Sequence, residues 1–198
     1  MQKMTAITNL LLLNILWIVC SIPIITIGSA TTAMYSVLFA YRRKETDSVF
    51  RPFFTAFRKN FVRSTLSWVV MLLLVAALGY DVILLIYGST LSPLLSIPVI
   101  IVGLLVVIAG IYLFPQIALF DNKLLPMLKN CFLLFMLNPI HSLALMILAL
   151  FPVILFLFLP QIFWITLLFW TLIGVAACAS LSSFFLLKIF TKYIPEKE

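Results

Sequence analysis

The residues that could do chemistry are few and widely spaced. Asp81 is the only charged residue between Arg63 and Asp121, and His141 is the only histidine in the chain. A carboxylate within an apolar run reads as a proton or cation site unless it reaches the membrane surface. A serine–histidine–aspartate relay would need His141 beside both a serine and Asp81. His141 follows a helix start at Asn138–Pro139 on the basic side of the chain, whereas Asp81 lies 18 residues beyond Arg63. At about 1.5 Å per residue that is about 27 Å, nearly a whole bilayer. The two are not expected to meet, and no enzyme activity is expected. The same depth gives Asp81 a second reading, an outer-interface position beside Tyr80 and Tyr87. His141 likewise reads as satisfying its helix start, with a proton relay as the alternative. Cys20, Cys131 and Cys178 are isolated in apolar sequence, without metal-ligand spacing, and read as small hydrophobic side chains. With no HExxH and no glycine-rich phosphate loop, neither a metal nor a cofactor is expected.

The elements that must position these residues are membrane spans. The chain is 65% hydrophobic and 10% charged, against about 25% charged in soluble domains. No charge lies between Lys3 and Arg42, and between Lys129 and Lys188 only His141 and the weakly acidic thiols ionise. A spanning helix needs roughly 20 apolar residues. The runs predict long spans over 6–25, 65–87, 95–119, 140–158 and 162–187, with outer turns near 88–93 and 159–161. The fold class is therefore an all-α polytopic transmembrane bundle, five long spans plus one short N-terminal segment, in a single integral membrane domain over 1–198. The N-terminal run is longer than a secretory h-region and reads as a retained span, with Asn9 and Asn14 as interior polar positions. The short segment, 29–41, has about 13 uncharged residues and covers under about 20 Å. It crosses if Arg42, Arg43 and Lys44 snorkel to the surface; a half-helix is the alternative.

Of 13 Lys and Arg residues, seven lie in 42–63, two in 121–129 and three in 188–197, with Lys3 at the start. This positive-inside asymmetry predicts a multi-pass protein of the cell membrane with both termini in the cytoplasm. The net charge of +7 then sits at the headgroup plane, so the partner is the lipid bilayer and nucleic acid is not. Phe53, Phe54, Phe57 and Phe61 share one helical face, flanked by Arg51, Arg58, Lys59 and Arg63. The pattern predicts an amphipathic interfacial elbow helix, a candidate docking element for lipid or protein. A second elbow is expected over 125–137, ended by Asn138–Pro139. The shared Lys59-Asn60 and Lys129-Asn130 pairs suggest a weak repeat, 51–118 and 121–187. Gly174, Ala176, Ala177, Cys178 and Ala179 suit close helix packing, and would also suit a homo-oligomer seam.

The run 23–35, with Pro23, Thr26, Gly28, Thr31 and Thr32 at a helix break, resembles the N-terminal signature of the YesL-like bacterial membrane proteins. The run 50–61 looks like that family's second signature, and Ser29 stands where the family usually has proline. The resemblance implies a polytopic membrane protein associated with carbohydrate uptake through ABC-type transporters. Together these readings predict a non-catalytic membrane protein that assists or regulates such a transporter, with sugar-transporter subunits as partners. The alternative is a small autonomous secondary transporter or channel using Asp81.

Overall fold

Apolar side chains in uninterrupted runs satisfy their backbone internally only as helices, and the chain obeys that constraint. The computed structural model describes residues 2–87, 96–158 and 163–192. These form α1 (Gln2–Ser21), a 3₁₀ turn (Ile24–Thr26), α2 (Ile27–Arg42), α3 (Phe50–Tyr87), α4 (Ser96–Leu119), α5 (Leu124–Leu137) and α6 (Pro139–Phe158), then α7 (Phe163–Phe169), a π-turn (Trp170–Gly174) and α8 (Val175–Thr191). The described residues contain no strand. Among the described residues, four helices are long and apolar enough to cross a membrane, five when α5 and α6 count as one bent span. The described part of α1, Ile7–Ser21, is a shorter apolar helix at the N-terminus. The expected turns at 88–93 and 159–161 lie outside the described residues.

Two expectations change. The first helix stops at Ser21 and the next is helical from Ile24, so the break falls at Pro23 and the short segment begins five residues before 29. Ile24–Arg42 is then 19 residues long, about 28 Å, enough to cross without depending on 29–41 alone. The second change is in the first elbow. It is not a separate helix: α3 runs unbroken for 38 residues, because no glycine or proline lies between Phe53 and Leu78. The second elbow is separate, since α5 meets α6 at 109° across Asn138–Pro139.

The packing centre is α2, which touches α1, α3, α4 and α8. Its Ala30, Ala33, Val37 and Leu38 pack with Leu13, Phe53, Ala176 and Ala179. On its other side Phe39 joins Tyr112, Ile117, Met127, Leu186 and Phe190. Small side chains at 28–33 let neighbouring helices come close. The far half of α3, by contrast, turns Leu73, Val75, Ile83 and Tyr87 outward, as lipid-facing helix surface requires.

Candidate functional site

The helix break and the helix it feeds are held by short polar side chains. The Thr26 hydroxyl lies 2.6 Å from the Cys20 carbonyl and 2.7 Å from that of Pro23, serving the orphan end of α1. Trp17 Nε1 donates to Thr31 Oγ1 at 3.0 Å, and Trp68 Nε1 donates to the Ile24 carbonyl at 2.8 Å. Between α2 and α3 the hydroxyls of Thr32 and Ser64 pair at 2.8 Å, and those of Ser29 and Thr65 at 2.8 Å. A Cβ at Gly28 would stand 2.5 Å from the Ser64 carbonyl and 2.6 Å from Trp68 Cβ. Thr26, Gly28, Thr31 and Thr32 are thus brought together as a seam that locks α1, α2 and α3. Pro23 is exposed beside it. The hydroxyl in this sequence at position 29 is part of that seam, where a proline could not bond.

The docking helix is turned relative to expectation. Phe53 is fully buried against α2 and Val49, while Phe54 and Phe57 are half-buried beside it. Phe61 is exposed, and its ring meets that of Phe57 at 5.5 Å. The aromatic face therefore belongs mainly to the protein core and not to the acyl boundary, because α2 lies where lipid was expected. The face left outside carries Arg51, Thr55, Arg58 and Val62, successive turns of one stripe, with Lys59 beside it. Lys59 Nζ donates to Asp121 Oδ2 at 2.9 Å, and Arg63 approaches the other oxygen at 4.0 Å. The bond from Lys59 holds the Asp121 carboxyl below its ordinary value.

Asp81 is exposed on α3, one turn and a half before that helix ends at Tyr87. His141 packs edge-on against Phe185 with ring centres 6.1 Å apart. Ser142, its neighbour, supports the α5–α6 bend: its Oγ lies 2.8 Å from the Asn138 carbonyl and 2.7 Å from the Tyr112 hydroxyl. Cys131 Sγ accepts from Gln116 Nε2 at 3.1 Å inside the core. Asp81 and His141 share no contact in the structure. Gly174, Ala176 and Ala179 are buried within the chain, so those residues are not available as a homo-oligomer seam.

The residue whose role the sequence did not reveal is Asn14. It is fully buried. Its Nδ2 donates to the carbonyls of Trp170 at 3.2 Å and Thr171 at 2.8 Å, and its Oδ1 accepts from the Ala176 N–H at 2.9 Å. A π-turn disrupts the regular i→i−4 ladder at its ends, and these are the groups that the amide takes up. Gly174 makes room for the turn, since a Cβ there would meet the Trp170 ring at 2.6 Å.

Residues 10–82 match the model of a family described as proteins of unknown function, DUF624. That segment begins in α1, takes in all of α2 and ends on α3 at Val82, so it is the seam-locked three-helix unit. The run 23–61, which carries the resemblance, lies inside it. No curated protein and no solved structure matches the chain.

Proposed function

We propose that the protein is a non-catalytic integral membrane component that assists or regulates a transporter through its basic end. The observation that carries this is the outward stripe of α3, Arg51, Thr55, Arg58 and Val62, presented by a helix whose opposite face is locked into the core. A rigid cationic strip beside the membrane suits contact with an acidic protein surface. The asymmetry of lysine and arginine supports a cytoplasmic location for that end in the cell membrane. The transport class, carbohydrate uptake through an ABC-type system, is taken from the resemblance alone.

The test is a mild-detergent purification of tagged protein from its native membrane, with co-purifying proteins read by mass spectrometry. We expect sugar-transporter permease or ATPase subunits, lost in the Arg51→Glu/Arg58→Glu variant while the chain remains membrane-inserted. Retention of those subunits by the variant would separate the stripe from the contact. Recovery of the chain alone would overturn the accessory role, and loss of solute flux in Asp81→Asn would then identify an autonomous transporter.

A further inference from the structure

We propose that the protein holds one anionic lipid in a cleft between the start of α1, the end of α2 and the end of α8. The cleft encloses about 1010 Å³ and is lined by Asn9, Tyr41, Arg42, Lys44, Asp47 and Lys188, among others. Among the described residues its three cations share the lining with a single carboxylate, leaving an excess positive charge suited to a phosphodiester. A second cavity of about 160 Å³ shares Asn9, Tyr41 and Arg42 with it and is otherwise lined mainly by Leu10, Leu13, Val37, Leu38 and Val49. A cationic cleft with an apolar cavity beside it fits an amphiphile, and a soluble anion would leave the apolar cavity, the throat of the site, unused.

The cleft is preorganised. Arg42 Nε donates to Ser183 Oγ at 2.7 Å, Nη2 donates to the Ser180 carbonyl, and the guanidinium lies 5.6 Å from the Phe184 ring centre. These contacts hold the planar fork while Nη1 has no hydrogen-bond partner among the described residues. Lys44 adopts a left-handed backbone with φ of 58°, in a turn closed by Lys44 N–H to Tyr41 and Glu45 N–H to Ala40. That turn places Lys44 in the lining of the same cleft as Lys188 on α8. The site is independent of the α3 stripe, whose arginines do not line it.

The full-length protein, delipidated in neutral detergent, is titrated with phosphatidylglycerol or phosphatidylcholine, and bound lipid is counted by native mass spectrometry. One phosphatidylglycerol per chain is expected, with phosphatidylcholine retained at least about tenfold more weakly. The Lys44→Asn/Lys188→Gln variant should lose about tenfold in phosphatidylglycerol affinity; asparagine tolerates the left-handed turn. Neither lysine bonds another helix among the described residues, and the wild-type comparison of the two lipids stands even if the variant unfolds. Equal retention of both lipids, or unaltered binding in a folded variant, would overturn the proposal. So would displacement of the lipid by equimolar glycerol phosphate, which has the headgroup chemistry but no chain for the throat.

Discussion

At the scale of single residues, the molecule spends its polarity on backbone groups that a membrane cannot solvate. Asn14 is the clearest case, since a single amide serves two carbonyls and one N–H on the π-turn and α8 packed beside it. Asn14→Leu should cost about 1–3 kcal/mol, given the modest worth of interhelical bonds in membranes and the three groups left unpaired. Reversible unfolding in micelles measures it, and an unchanged stability would show that the π-turn needs no cap. Asparagine in an apolar run is visible as an interior polar position, but its partners sit 156–162 residues away, beyond any local pattern. The Lys59–Asp121 bond was equally illegible, because it joins two loop-proximal charges from different hairpin arms. Its folded-state carboxyl lies below the ordinary value of 3.8. The contribution is thus complete above that value and is lost as pH falls through the depressed one. Since both side chains are well exposed, Asp121→Asn at neutral pH should change stability by less than about 1 kcal/mol. A larger loss in a thermal melt would mean that Arg63 depends on the carboxylate as well.

At the scale of elements, breakers proved more decisive than charge. Charge alone would end the first elbow where the arginines stop, at Arg63, yet charge governs depth in the bilayer and not helix length. Without glycine or proline after Pro52 until Gly79, α3 continues, whereas Asn138–Pro139 bends the second elbow away. The Lys-Asn echo therefore precedes two differently shaped elements. The amphipathic pattern of Phe53, Phe57 and Phe61 was correctly helical, but periodicity says only that a face is apolar, not whether lipid or α2 covers it. The α2–α3 seam supplies a sharp test. Gly28→Ala would press a methyl against backbone at Ser64 and should destabilise by about 1–3 kcal/mol. Gly79→Ala, with nothing within 4 Å of its added Cβ, should be neutral or stabilising by up to about 1 kcal/mol. Thermal denaturation of the two variants side by side compares them, and equal melting temperatures would show that α2 can shift away from α3 freely.

At the scale of the whole molecule, the fold class was legible because apolar runs and their length leave helices as the answer. The arrangement was not, since hydropathy marks spans but carries no record of which neighbours they choose. The shortest expected segment turns out to be the hub: α2 meets α1, α3, α4 and α8, and small residues at 28–33 explain why four helices can reach it. The tie between Asn14 and the π-turn also sets an order of events during synthesis. The amide is made 156 residues before the first of its carbonyl partners, and translation at about 5–20 residues per second separates them by roughly 8–30 s. Through that interval the contacts of Trp17, Thr26 and Gly28 can already join α1 to α2 and α3, while the Asn14 amide waits for the final helices. A ribosome stalled before Trp170 would therefore hold a chain whose first three helices can lock together but whose Asn14 amide is still unclaimed, open to insertion factors or quality-control proteases until its last partners emerge.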